Sequence, residues 1–295
     1  MKGLERAGLA SIVVIGLMSL SGIVSVTTAG VASAAPRASS LTLSGYTVAE
    51  ADVSLSAHSQ AWTTAACPAG DVVVGGGGYQ VTQKLGEDIG SSYPNSEGSG
   101  WIVFFNNEKS FSNTGVAVAI CAAASSLANY SVQYGALVTV PADGEAQGVV
   151  TCPSGTVSLG GGAASEGKQP YQAMAASAPF GTNGWRTYLA SAGSRSTEGQ
   201  AAVVCATEPA GWAQVSSNYV TNPAGKATVV TVNCPADTKV LGGGPFNSSA
   251  DPTVTVGLTT SLSSLRGWHS KENNSSAASE SADEWAVCAK AVAAS

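Results

Sequence analysis

The chain has 295 residues, a net charge of −6, 44% hydrophobic residues and only 11% charged ones. So few and so scattered basic side chains exclude nucleic acid, whose phosphates need concentrated Lys and Arg, and exclude an anionic membrane surface for the same reason. The hydrophobic share at this low charge excludes a disordered chain.

The first element in chain order is a leader. Lys2 and Arg6 precede an apolar stretch from Leu9 to Val24, and small residues ending in Ala32-Ser33-Ala34 follow. A basic start, an apolar middle and a small-residue end make a secretory signal peptide, cut close to Ala34. The stretch is also long enough to span a bilayer, so a membrane anchor is the alternative reading; no cysteine lies here to carry a lipid. The expected organisation is a signal peptide over 1–35 and a linker over 36–43. Past the leader there are 11 basic and 18 acidic side chains and no apolar run of membrane-helix length. No integral membrane association is therefore expected after cleavage.

The remainder repeats three times. "CPAGDVVVGGG" at 67–77 returns as "CPSGTVSLGGG" at 152–162 and "CPADTKVLGGG" at 234–244. A Gly-Trp pair follows in each copy, at Trp101, Trp185 and Trp268. A second cysteine lies 20 residues beyond each tryptophan, at Cys121, Cys205 and Cys288. An aromatic residue (Tyr46, Tyr130, Trp212) precedes each first cysteine by 21 or 22 positions. Three units are expected, over 44–123, 124–207 and 208–295.

Within a unit the residues alternate as strands do. "GVAVAIC", "AAVVCA" and "EWAVCA" carry the period-two pattern of a half-buried strand. "GWIVFFNN" and "GWRTYLAS" form another, and the "DVVVGGG" type runs through a short strand ending at Val74, Leu159 or Leu241. "SSYPNSEGSG", "APFGTNG" and "NPAGK" carry the Pro, Asn and Gly of turns. No segment keeps a capped 3.6-residue period. The expected fold is all-β: three homologous disulfide-stapled units, arranged as a pseudo-threefold β-prism or as three packed small sandwiches. The short connections at 122–129 and 206–211 favour units packed together.

Six cysteines at regular spacing in an exported chain imply disulfides. Two equivalent cysteines per unit select Cys67–Cys121, Cys152–Cys205 and Cys234–Cys288 among the fifteen possible pairings. Zinc would need closely spaced ligand pairs and histidines, which are missing, so no metal and no cofactor are expected. The glycine runs lack the Lys, the Ser/Thr and the helix of a phosphate loop. They imply a close approach of backbone or of a ring, the Gly-Trp tryptophan being the obvious ring.

Chemistry has few places to reside. His58 and His269 occupy unrelated positions in their units, and no Gly-x-Ser-x-Gly elbow is present. Glu87-Asp88 and Asp283-Glu284 occur once each and read as solvated surface. Trp101, Trp185 and Trp268 are the candidates for stacking on a sugar ring, supported by Tyr93, Tyr171 or Tyr188, although their constant distance to the disulfide cuts against this and is what a shared core demands. Trp62 and Trp285 are not repeated and make candidates for exposed aromatics, with Trp285 at a position that reads as inward-facing.

The sequence Cys67-Pro68-Ala69-Gly70, Gly75 to Gly77, Gly100-Trp101 and Cys121-Ala122, with its two later counterparts, resembles a group of secreted actinobacterial proteins to which no activity attaches. The third copy departs, with Ala236-Asp237 where the others end in glycine. The threefold Cys-Pro-x-Gly and closing cysteine are also similar to the vitelline membrane outer layer protein I family, which implies a β-prism of three sheets. Three functional readings stand open: a secreted, non-enzymatic extracellular or envelope protein that binds polysaccharide or another surface component; a hydrolase with one site using His58, His269 or a carboxylate pair; and a structural matrix protein.

Overall fold

The computed structural model describes residues 41–165, 171–247 and 249–294; the expected signal peptide and most of the expected linker lie outside them. The chain is all-β. The first segment gives β1 (Leu43–Leu55), β2 (Ser59–Ala66), β3 (Asp71–Gln80), β4 (Glu87–Pro94), β5 (Gly100–Asn107) and β6 (Asn113–Ala123). In the second, β7 (Ser131–Tyr134) and β8 (Val138–Val140) share the place of β1. They precede β9 (Gly144–Thr151), β10 (Val157–Ser165), β11 (Gln172–Phe180), β12 (Gly184–Ser191) and β13 (Thr197–Ala206). The third has β14 (Ala213–Ser216), β15 (Val220–Asn222), β16 (Lys226–Asn233), β17 (Lys239–Asn247), β18 (Val254–Ser261), β19 (Gly267–Asn274) and β20 (Glu280–Ala289), before the short β21 (Ala291–Ala293).

Three of these strands correct the sequence expectation. β4, β11 and β18 occupy stretches that carry few large side chains, "EDIGSSYP", "QAMAASAPF" and "VTVGLTTS". The first two overlap residues expected in turns. Their small residues suit strands packed close to other backbone, which is where the fold puts them.

Each segment makes two three-stranded layers, and each layer continues into a neighbouring segment. One sheet runs β16-β19-β18-β3-β6-β1-β21, a second β2-β5-β4-β10-β13-β7, with β8 also on β13. The third face combines β11-β12-β9 with β14, β15 and β17 around β20. Its two halves adjoin where Asn247 Nδ2 donates to the Ala175 carbonyl at 2.8 Å. The other joints are antiparallel ladders, Ala163 opposite Ser92 and Leu258 opposite Tyr79. Every face of the prism is thus shared by two segments, while inside a segment the two layers face each other. All described residues fall in one compact unit.

The glycine run is explained residue by residue. The first glycines, Gly75, Gly160 and Gly242, meet at the centre: a Cβ on Gly160 would lie 2.8 Å from the Gly75 Cα, and one on Gly242 would lie 2.8 Å from the Gly160 Cα. The middle glycines, Gly76, Gly161 and Gly243, lie under the rings of Trp101, Trp185 and Trp268, which a Cβ would overlap. The third glycines, Gly77, Gly162 and Gly244, abut the carbonyls of Thr259, Ser92 and Ser177 in the neighbouring segment. Those same three residues accept the indole N–H of Trp268, Trp101 and Trp185 on their hydroxyls, at 2.8, 2.9 and 2.8 Å. A bulge at Val74, Leu159 and Leu241 shifts the register just before each run, and all three residues are buried.

The upstream aromatics close the ring in the other direction. Tyr46 Oη donates to the Val240 carbonyl at 2.6 Å, Tyr130 Oη to Val73 at 2.9 Å and Trp212 Nε1 to Ser158 at 3.0 Å. Each aromatic reaches the glycine-run strand of the preceding segment, two residues before its first glycine.

The three disulfides are Cys67–Cys121, Cys152–Cys205 and Cys234–Cys288. Each ties the end of one layer's strand to the central strand of the opposite layer. The Cys-Pro step opens a tight turn: the Pro68, Pro153 and Pro235 carbonyls accept from the N–H three residues on, at 3.0, 3.1 and 3.3 Å. The third residue of each turn has positive φ, at Gly70 (91°), Gly155 (82°) and Asp237 (61°). Left-handed backbone is easy for glycine and costs an L-residue about 1 kcal/mol. Asp237→Gly is therefore expected to stabilise the protein by up to about 1 kcal/mol, read as a higher urea midpoint at unchanged slope.

Candidate functional site

Burial decides first what cannot be a site. Trp101, Trp185 and Trp268 are 0% exposed and their N–H groups are already bonded, so the sugar contact offered for them in the sequence is corrected to core packing. Trp285 differs from its expected inward place. A three-residue offset from Cys288 along a strand puts it on the opposite face from that cysteine; it is half-exposed, with its N–H on Asp283 Oδ2 at 3.0 Å. Trp62 is exposed, as expected, and stacks on Phe104 with ring centroids 5.8 Å apart.

The acidic pairs expected on a solvated face are buried. Glu87 accepts from the Thr82 hydroxyl and from the Lys84 N–H, and Asp88 Oδ1 accepts from Thr255 Oγ1 at 2.5 Å and Asn273 Nδ2 at 2.6 Å. Burial pushes the Asp88 carboxyl above its ordinary range, against the pull of those hydrogen bonds. Asp283 and Glu284 are likewise buried, on opposite faces of β20. Alternation along a strand made these positions half-inward, and sequence spacing alone did not say how far the neighbouring segment would cover them.

A concavity that combines an aromatic floor with polar groups lies on the outer face where the third and first segments join. It is a groove of about 560 Å³ over β19, β18, β3, β6 and β1. Tyr79 stands on its floor with Leu258 and Val118, and Glu50, Thr260 and His269 supply polar groups. Leu262 and Leu265, in the turn between β18 and β19, form one rim. The Tyr79 hydroxyl is pushed up by burial first and by Glu50 and Asp52 next. Burial holds His269 below the ordinary imidazole range.

The joint of the second and third segments carries the same positions with other residues. Arg186 stands where His269 does, Phe246 where Tyr79 does, and Trp285 where Val118 does. The Arg186 guanidinium lies 3.8 Å from the Phe246 ring centroid and 5.8 Å from that of Phe180, and Tyr188 meets Phe246 edge-on at 6.0 Å. Such a cation over ring faces is attracted by the ring quadrupole.

His58 lies in the turn between β1 and β2 and does not line the groove that holds His269. It lines a small cavity of about 180 Å³ with Asn107, Glu108 and Tyr171. A second cavity of about 90 Å³ shares Glu108 and Tyr171 and is lined by Asp88, Ala173 and Thr255. These three occupy one ladder position, opposite Asn106, Ala190 and Asn273, so this cavity sits at one end of the pseudo-threefold axis. Glu108 is raised there by burial and then by Asp88. Tyr93 lies on the remaining outer face, opposite Ile102. Sequence reasoning missed Tyr79, Glu50 and Phe246 because none recurs in all three copies; the usable signal was the aromatic residue two positions after each of Gly77 and Gly244.

Among the described residues no group of three or more His, Cys, Asp or Glu is placed to hold a metal ion, and no helix is long and apolar enough to cross a membrane. A scan against protein-family models finds none that matches the chain, and a search of the curated proteins finds no match either.

Proposed function

We propose that this is an exported, non-enzymatic β-prism protein that binds polysaccharide or another extracellular surface component on its outer faces, at the joints between segments. The basic-apolar-small leader and three disulfides in one chain support export into an oxidising compartment. The resemblance to secreted actinobacterial proteins and to the vitelline membrane outer layer protein I family belongs to the same reading. The observation that carries it is the groove in which the Tyr79 ring lies among Glu50, Thr260 and His269. A ring offering an apolar face, with acceptors and donors at its rim, is what a sugar's C–H face and hydroxyls require.

The test is a calorimetric titration of the protein with oligosaccharides of glucose, galactose and N-acetylglucosamine. One of these classes is expected to bind, and Tyr79→Ala and Glu50→Gln are each expected to weaken it on the order of tenfold, with near-ultraviolet circular dichroism unchanged. Absence of binding across the panel, or binding that both variants leave intact, overturns the assignment.

A further inference from the structure

The interior of the third segment departs from the other two. Four residues after the Gly-Trp tryptophan stand Phe105, Leu189 and Glu272; four residues before the closing cysteine stand Ala117, Ala201 and Glu284. All six are 0% exposed. Two apolar contacts of the first and second segments are thus replaced by two carboxyl groups, both pointing between the layers on the side that holds Trp268 and Cys288.

Among the described residues, no cation acts on either carboxyl. Asn247 Nδ2 on β17 donates to Glu272 Oε1 at 3.3 Å, and Ser270 Oγ on β19 donates to Glu284 Oε1 at 3.1 Å. Glu272 Oε2 and Glu284 Oε2 are buried without a well-formed hydrogen bond, the Asn222 amide acting weakly on Glu272 and the Ser270 N–H on Glu284. β16 places Thr228 opposite Glu272, β18 places Val256 there, and β15 brings the Asn222 amide. The charged group that reaches both from the packed elements is Asp283 on β20, another acid, and Arg186 on β12 acts on Asp283 from the outer face. Two ionised carboxylates in such a place would each be unpaired and would repel one another.

We propose that Glu272 and Glu284 are a proton-holding pair that closes the third segment only while protonated, making this prism a fold that acid stabilises and alkali loosens at β19 and β20. Burial pushes Glu272 up to about 8, and Glu284 lies well above the carboxylate range, by burial and by Glu272 beside it. Both folded-state values exceed those of the unfolded chain, so the folded protein holds protons that the unfolded chain has released. The stabilisation is complete below the unfolded-state range near pH 4.5 and is lost as pH rises through about 8 for Glu272, and further for Glu284. Glu145, Glu108, Asp88 and Asp283 are also raised and add to the slope in the same direction, so the pair's share must be isolated by substitution.

The experiment measures urea unfolding of the native chain at pH steps from 5 to 9. Each retained proton lowers the folding equilibrium constant tenfold per pH unit across its window. Glu272→Gln is expected to remove one such tenfold step, and the double variant Glu272→Leu with Glu284→Ala, which installs the residues of the second segment, is expected to remove both. Hydrogen exchange of the native protein, corrected for intrinsic rate, is expected to rise first in β19 and β20 as pH increases. An infrared band of protonated carboxyl groups is expected to persist at pH 7 in the native chain and to shrink in the double variant. A pH slope identical in the native chain and in the folded variants overturns the proposal. Should neither variant fold, absence of a protonated-carboxyl band in the native chain at pH 7 overturns it.

Discussion

Gly160→Ala is expected to cost at least about 4 kcal/mol and to lower the melting temperature by roughly 10 °C or more. The added methyl would meet the Val74 carbonyl oxygen at 2.6 Å and the Gly75 Cα at 2.8 Å. Both obstacles are backbone of the neighbouring segment, held by the β3–β6 ladder, so no rotamer change relieves the clash. Moving β10 outward would instead separate the three glycine strands at the axis and pull Trp185 from its place under Gly161. Gly155→Ala is the internal comparison. Its φ of 82° is left-handed, yet nothing lies within 4 Å of the new methyl. It is expected to lose only about 1–2 kcal/mol. Urea midpoints of the two variants, measured side by side, check the prediction, and equal losses would show that the axial contact is not the constraint.

Removing one whole bridge, by Cys152→Ser with Cys205→Ser, is expected to cost about 4 kcal/mol. The bridge closes a sequence separation of 53, and the other two close 54 each, so the chain-entropy cost is nearly the same wherever it is removed. Each bridge also spans the two layers that face each other within a segment, and those layers belong to different sheets. Loss of a bridge therefore leaves a segment's layers joined by packing around its tryptophan and by a few hydrogen bonds, such as Ser158 N–H to the Thr182 carbonyl at 3.2 Å. Urea unfolding of the double variants checks the size of the effect, and mass mapping of the native chain checks that each cysteine pairs within its own segment.

The all-β class follows from alternation and the cysteine pairing from spacing repeated three times, so both were legible; the tryptophans were legible as repeated rings, but their sugar contact was not borne out by their burial. A ring under a glycine was also legible, and it holds for Gly76, Gly161 and Gly243. The first and third glycines of each run were not, because their partners are backbone atoms of other segments and leave no side-chain pattern in the sequence. For the same reason the role of Tyr46, Tyr130 and Trp212 stayed hidden: their spacing was plain, but the carbonyls they reach lie 54 to 194 residues away. β4 and β11 escaped notice since small residues in a close-packed strand look like a turn, and β18 was not singled out. Glu284 read as a solvated surface acid and Glu272 was not singled out, and only comparison with Phe105, Leu189, Ala117 and Ala201 shows that they stand in core positions. Of the candidate groove, His269 was singled out from the sequence as a histidine, whereas Tyr79 and Glu50 come together from separate strands of one face.

The interlocking of the segments has a direct thermal consequence. Every face is built from two segments, the glycine strands meet at one axis, and the aromatic bonds run from each segment to the one before. Scanning calorimetry of the disulfide-intact protein near pH 5 is expected to give one transition whose calorimetric and van't Hoff enthalpies agree. Three resolved transitions, or a calorimetric enthalpy about three times the van't Hoff value, would mean that the segments unfold independently and would contradict the shared-face architecture.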